Sequence, residues 1–586
     1  MVGVVLDDAG EAGTVATRRR AAVRRRVLGA DPWVLGAFVL AGVLGLLVLN
    51  PVLRLLFSSV TAARDGGWTL ANYAAAFSRP RYVQAFWTTM ELGGAVTALC
   101  LAFGVPLAWG VSRTDMPGRH WVRSLVIAGF VMPPYLGAVG WILLASPNAG
   151  WINEAFRAVT GAAGPVFDIY SFGGLAFVIA LYTFPFVFLF TANALDVVSS
   201  EMEDAANILG AGTFRTAARI TLPLVLPALL AGGIITFLET ISLVGTPALI
   251  ALPARINVVT TQLAQFFSPP IRAEVAAAYT IPLLGVTVGL YALQGRLLRR
   301  KGFVTLGGKG GERRTIRLGA WRWVLAGYGW VLVMLALVLP CAVLAQAAFA
   351  KAWGRGWRVD NLTLDNFAYL LFRHPGARSS IVNSFEYAGA AATIALLLAV
   401  AVAYVSARRL VAFGGVLGAL CMTPFVIPGI VLAIAFYAAY APAPFSLYGT
   451  GAILILAFTT RFLPVAYSSA SASIRSINPE MEEAVRILGG GRGLAIRRVI
   501  APLMKRSLLA AWLLVFIPAS RELSTAMFLY GPATRPMSVM LLDLSEEGNF
   551  ELLAALGLLL LVLTYAVVGV GMRVVGRDFM VRRERA

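Results

Sequence analysis

The acidic decapeptide Glu201-Met202-Glu203-Asp204-Ala205-Ala206-Asn207-Ile208-Leu209-Gly210 returns 279 positions later as Glu480-Met481-Glu482-Glu483-Ala484-Val485-Arg486-Ile487-Leu488-Gly489. Carboxylates beside small residues, closed by glycine, suit charge recognition by a partner rather than acid–base catalysis. Small Ala205, Ala206 and Ala484 let a helix sit close in a groove. Glu203, Asp204, Glu482 and Glu483 would place charge at its rim, facing Arg or Lys of a partner. Ser200 with Glu203 forms a capping-box pattern, Asn478 with Pro479 fits a helix start, and Gly210 and Gly489 fit the left-handed turn that ends a helix. A second short helix is expected after each glycine, Phe214 to Thr221 and Leu494 to Ile500, ending where Pro223 or Pro502 opens the next apolar run.

A second set of ionisable residues lies inside apolar runs: Glu239, Arg461, Arg521 and Glu522, with Glu91 and Glu386 at matched places. A charge at the centre of a bilayer costs roughly 2.5 to 3.5 kcal/mol on insertion scales, so each implies an interhelical pair or a transport pathway. Other chemistry is poorly supported. His120 and His374 are solitary, and Cys100, Cys341 and Cys421 show neither C-x-x-C nor metal-ligand spacing. The stretch Gly302-Phe303-Val304-Thr305-Leu306-Gly307-Gly308-Lys309 approaches a phosphate loop, but its Lys comes one position late and Gly310 stands where Ser or Thr belongs. It reads as a linker, so nucleotide binding is expected elsewhere. No catalytic residue, metal site or cofactor is expected in the chain.

The elements that position these residues follow from composition. Of 586 residues, 59% are hydrophobic and 13% charged, with a mean hydropathy of +0.78. Apolar runs of about 20 residues, enough to cross a roughly 30 Å hydrocarbon core, recur along the chain. Twelve spans are expected, at approximately 33–57, 84–111, 121–145, 172–194, 222–245, 276–298, 321–350, 384–406, 411–439, 450–469, 503–525 and 551–575. Trp33 to Phe57 is too long for a signal-peptide core and reads as an uncleaved first span.

The net charge of +20 is distributed by loop and does not form a nucleic-acid footprint. Arg18 to Arg20, Arg24 to Arg26, Arg113, Arg119, Arg123, Arg296 to Arg317, Arg408, Arg409 and the tail from Arg573 to Arg585 fall in alternate loops. By the positive-inside rule these loops, both termini and both acidic repeats are cytoplasmic.

Repetition extends beyond the acidic segment. Thr69-Leu70-Ala71-Asn72-Tyr73 is answered by Thr363-Leu364-Asp365-Asn366-Phe367, Met132-Pro133-Pro134 by Met422-Thr423-Pro424, and Pro185 by Pro464. The order is kept while loop lengths drift, so the chain reads as an all-α polytopic protein of two parallel six-helix repeats, 1–305 and 306–586.

The run Asp204-Ala205-Ala206, Gly210, then Ile220-Thr221-Leu222-Pro223, resembles the E-A-A-x3-G-x9-I-x-L-P loop of binding-protein-dependent ABC importer permeases. Glu483-Ala484-Val485, Gly489 and Val499-Ile500-Ala501-Pro502 match it more loosely. Asp204, Val485 and Ala501 depart from the pattern. The resemblance implies the type I importer permease fold in the bacterial inner membrane, with coupling helices at about 200–221 and 478–500. It further implies a cytosolic ATPase homodimer on those helices and an extracytoplasmic solute-binding protein opposite. Two fused units of this length resemble ferric iron permeases; thiamine and 2-aminoethylphosphonate importers share the layout. A secondary transporter is the competing class, and two docking helices weigh against it.

Overall fold

A chain that crosses a bilayer has no water to satisfy its backbone, so spans must be helical or closed barrels. The computed structural model describes residues 32–575 apart from 63–65, 198–204, 207, 301–314 and 357. Among these, ten helices are long and apolar enough to cross a membrane, and two further pairs of shorter helices are sharply bent, which makes twelve if each pair counts once. The expected boundary at 305/306 lies outside the described residues.

The first half runs α1 (Trp33–Ser59), α2 (Pro80–Arg113), the bent pair α3 (Arg119–Gly129) and α4 (Pro134–Ala145), α5 (Phe172–Val197), α6 (Ala217–Ser242) and α7 (Ala273–Arg300). The second runs α8 (Trp321–Ala348), α9 (Ala377–Ala407), the bent pair α10 (Gly414–Val426) and α11 (Gly429–Tyr440), α12 (Gly451–Arg475), the short polar α13 (Glu480–Ile487), α14 (Arg492–Ser520) and α15 (Phe550–Val575). In each half three helices pack into a core, α2 with α5 and α6, and α9 with α12 and α14. The first helix of each half leaves that core. α1 packs on α7 and on α11 of the other half, while α8 packs on α15 and on α4 of the other half.

Proline places the bends. The pairs turn by 103° at Met132-Pro133-Pro134 and by 113° before Gly429. Pro133 and Pro428 are held in extended backbone, at ψ 138° and 143°, and the residue before a proline is itself pushed out of the helical region. The expected straight spans at 121–145 and 411–439 are therefore broken elements. Proline also places the wide turns. All five π turns among the described residues end in an N–H that reaches back five residues: Asn50 to Gly45, Leu222 to Ala217, Leu339 to Met334, His374 to Tyr369 and Ala501 to Ile496. Each is followed at once by a proline, Pro51, Pro223, Pro340, Pro375 or Pro502. The proline ring crowds the carbonyl four residues back, and a wider turn relieves that contact. The short stretches expected before Pro223 and Pro502 consequently do not end there; they run on into α6 and α14 as single helices.

The Thr-Leu-x-Asn repeat has a structural job. Asn72 donates to the Ser59 and Thr61 carbonyls at 3.2 and 2.8 Å, and Asn366 donates to the Ala348 and Ala350 carbonyls at 3.0 and 2.8 Å. Both cap the end of the first span of their half, where helix carbonyls lack intrahelical donors. Glycine lets the halves approach. A Cβ on Gly140 of α4 would lie 2.8 Å from the Pro340 Cβ and 3.0 Å from its Cα in α8, neither of which can rotate away. We predict that Gly140→Val destabilises the folded protein by about 1–3 kcal/mol, the usual cost of overpacking, seen as a lower thermal midpoint in detergent. Gly94→Ala, with nothing within 4 Å of the added carbon, should leave the midpoint unchanged.

Candidate functional site

The second acidic copy forms a short polar helix, and both copies end in a described glycine turn. In the second, Asn478 Oδ1 accepts the Glu480 N–H at 3.1 Å and so starts α13. The helix stops where Gly489 takes φ 82°. There the Gly489 N–H bonds to the Arg486 carbonyl at 3.0 Å and the Gly490 N–H to the Val485 carbonyl at 2.9 Å, the paired bonds of a Schellman turn. In the first half Gly210 has φ 80° and the Ala211 N–H reaches the Ala206 carbonyl at 2.9 Å. The two turns coincide at the 279-residue offset.

Each turn displays an apolar pair. Ile208 and Leu209 are 86% and 87% exposed, and Ile487 and Leu488 are 85% and 87% exposed. Matching isoleucine-leucine pairs left almost wholly exposed just before a helix-ending glycine are unfavourable unless something covers them. The sequence reading passed over them, although both pairs precede the glycine directly. Ala205 and Ala484 are exposed beside them, whereas Ala206 is buried.

The acidic residues separate into two roles. Glu203 and Asp204 lie outside the described residues. Glu483 is exposed. Glu482, expected at the rim, turns inward: its Oε1 accepts Arg408 Nε at 2.6 Å and its Oε2 accepts the Tyr404 hydroxyl at 3.1 Å. Arg408 also donates to the Ile477 carbonyl at 3.2 Å. The two side chains are only 12% and 10% exposed. Glu482 thus fastens α13 to the end of α9, and Arg408, which sequence treated as an orientation charge, is its partner.

The intramembrane charges converge. Arg461 of α12 pairs with Glu522, just past α14, at 3.0 Å, and the other Glu522 oxygen accepts the Thr525 N–H at 3.0 Å. Arg461 lies so close to Gly429 that any side chain there would collide with its guanidinium. Arg521 donates to the Phe130 carbonyl at 3.0 Å and to that of Val131. Those are the open carbonyls at the end of α3, where a cation is also favoured by the helix dipole. Glu239, one turn from the end of α6, is exposed at its place inside the span and acts electrostatically on Arg461, Arg521 and Glu522. One residue of the first half and three of the second therefore share a single charged cluster. Glu91 and Glu386 are exposed on α2 and α9. Among the described residues no three His, Cys, Asp or Glu side chains group as a metal site.

Long apolar helices in two sets, with a charged cluster between them and a paired glycine turn in each half, define a polytopic helical membrane protein. The sequence model of the binding-protein-dependent transport system inner membrane component family matches residues 101–302, and the chain belongs to that family: it is the permease subunit of an ABC importer. The ferric transport system permease protein FbpB of Actinobacillus pleuropneumoniae is 26% identical over 494 residues, 83% of this chain and 70% of its own. A probable ABC transporter permease protein, y4fN of Sinorhizobium fredii, is 25% identical over 523 residues, 87% of this chain and 90% of its own. The molybdenum transport system permease protein ModB of Escherichia coli is 30% identical over 159 residues, 27% of this chain and 67% of its own.

Removing one member of a buried ion pair strands the other, at about 3–5 kcal/mol. Arg408→Ala should therefore lower stability by about that amount in thermal or denaturant unfolding, and Glu483→Ala should not. A double variant exchanging the charges, Arg408→Glu with Glu482→Arg, should recover part of the loss.

Proposed function

We propose that this chain supplies both transmembrane units, 1–305 and 306–586, of an importer that moves ferric iron from an extracytoplasmic solute-binding protein into the cytoplasm. In this reading the polar tips are coupling helices on which two cytosolic ATPase subunits dock, both termini face the cytoplasm, and ATP hydrolysis belongs to the partner. The observation that carries it is the pair of tips: two equivalent turns, 279 residues apart, each presenting an exposed Ile-Leu pair before a left-handed glycine.

The connections away from the tips suit a lever. α13 passes through Gly489 into α14, which carries its proline without a break, and Glu482 ties the same tip to α9. Closure of an ATPase dimer on bound nucleotide would draw the tips together, moving α9 and α14 as a unit with α12, since these three pack on one another. Arg461 sits on α12 and Arg521 and Glu522 at the far end of α14, so the motion would reach the charged cluster that lines the proposed pathway. Hydrolysis would reset it. A carrier driven by H⁺ or Na⁺ has no use for two docking tips.

Iron as the cargo is supported by the ferric permease relatives, which align over most of the chain, and by the accessible Glu239 carboxylate, since a hard trivalent cation favours oxygen ligands. An oxyanion is the second reading, supported by the ModB likeness and by the two arginines of the cluster. Metal analysis and mass spectrometry of the ligand held by the binding protein that drives uptake through this permease decide between them. Iron is expected; molybdate, sulfate, a vitamin or a phosphonate would overturn the assignment.

The docking role has its own test. Burying a leucine or isoleucine contributes about 1.5–3 kcal/mol, so Leu209→Asp with Leu488→Asp should abolish co-purification of the ATPase and uptake, while the permease still folds. Retained ATPase association would refute the docking assignment.

A further inference from the structure

The two halves meet along a polar seam as well as through their apolar helices. The segment that leads into α8 runs beside the loop between α2 and α3. The Ile316 N–H bonds to the Arg113 carbonyl at 2.8 Å, and the Asp115 N–H to the Ile316 carbonyl at 3.1 Å. Asp115 Oδ1 accepts the Leu318 N–H at 3.0 Å. Beyond this clip α3 and α8 pack side by side, so closely that a Cβ on Gly329 would lie 2.8 Å from Met116 Cε and 3.2 Å from Val122 Cγ1. Backbone pairing backed by close packing fixes the spacing of the side chains along the seam.

Those side chains are arginine and tryptophan from both halves. Arg119, in the first turn of α3, donates to the Thr114 carbonyl at 2.9 Å. Arg322, in the first turn of α8, lies 3.6 Å from Asp115 and holds its guanidinium carbon 5.6 Å from the centre of the Trp323 ring. Arg317 is exposed in the clipped segment itself. Trp121 and Trp323 are 70% and 62% exposed. Among the described residues Asp115 is the one carboxylate paired with any of these three arginines, so the seam keeps a net positive charge. Its place in the fold identifies what lies against it. α8 has 28 residues, about 42 Å at 1.5 Å per residue against a hydrocarbon core of roughly 30 Å, and it exposes Val324 and Val331 to lipid. A first turn that carries Arg322 belongs among headgroups, where exposed tryptophan is also favoured. Guanidinium forks match phosphate oxygens, and a headgroup without an ammonium of its own suits a site that is already positive.

We propose that Arg119, Arg317 and Arg322, framed by Trp121 and Trp323, bind the phosphate of an anionic phospholipid at the seam between the halves. A lipid held there joins α3 and α8 into one body. The same α3 reaches the first acidic repeat through a single ion pair, because Arg123 bonds at 3.0 Å to Asp196 in the last turn of α5, whose chain continues into that repeat. Occupancy therefore steadies the arm that leads to the first glycine turn. Neither the cargo nor ATPase docking enters the assignment, so its failure leaves the importer reading standing.

The test uses the full-length permease in nanodiscs of phosphatidylcholine, with phosphatidylglycerol added in steps and the thermal midpoint as readout. The wild-type midpoint should rise and saturate. R119Q/R317Q/R322Q should need at least about tenfold more phosphatidylglycerol for the same rise. R119K/R317K/R322K should fall between the two, since lysine keeps the charge and loses the fork. R317Q alone leaves the clip and the Arg322–Asp115 pair intact, so it decides the matter if the triple variant fails to fold, and it should also shift the titration to higher phosphatidylglycerol. R355Q/R378Q, which removes two exposed arginines elsewhere, should titrate as the wild type does. No saturable rise in the wild type overturns the proposal, as does an unshifted titration in R317Q or the triple glutamine variant, or an equal shift in R355Q/R378Q. Glycerol phosphate, which offers the phosphate without acyl chains, should leave the midpoint unchanged. A matching rise with it assigns the site to a soluble anion and overturns the lipid assignment as well.

Discussion

No water reaches the hydrocarbon core, so each backbone N–H and C=O that crosses it must find its partner within the protein. Continuous helices satisfy this by themselves, and ten of the spans do so. The other features of the fold are places where that rule is strained and then repaired. Each π turn precedes a proline, whose ring crowds the turn behind it. The two bends follow prolines, and the carbonyls that the first bend exposes, Phe130 and Val131, are taken up by Arg521 from the other half. A charge inside the membrane is thus placed where a broken helix creates a demand for it.

That repair binds the duplicated halves into one unsymmetric object. α1 and α8 exchange sides symmetrically, each packing on the bent pair of the opposite half. The charges do not follow this symmetry. Arg461, Arg521 and Glu522 come from the second half and Glu239 from the first. Duplication supplies two equivalent glycine turns. Divergence of the charged residues leaves the cluster drawn mainly from one half.

The tips show how much can be read locally. Caps, left-handed glycines and the repeat itself are decided by neighbours within a few residues, and Asn478, Gly210 and Gly489 stand as their types require. Glu482 was misread because its partner Arg408 lies 74 residues away on another helix. Periodicity within α13 does not reveal which of two adjacent carboxylates faces inward. The exposed Ile-Leu pairs were overlooked for a related reason: an apolar pair beside an apolar span resembles more of the same until the turn at the glycine carries it out into water.

Sequence alone determined the membrane class, the number of apolar segments, their repetition, the cap at Asn478 and the turns at Gly210 and Gly489, because hydrophobic length, proline and left-handed glycine act over one or two helical turns. Tertiary structure decided which spans are straight and which are bent, that α6 and α14 run unbroken through their prolines, and that four scattered intramembrane charges meet in one cluster. Those outcomes depend on contacts between helices far apart in the chain, where a buried charge or an open carbonyl is satisfied by whichever group packing brings within reach.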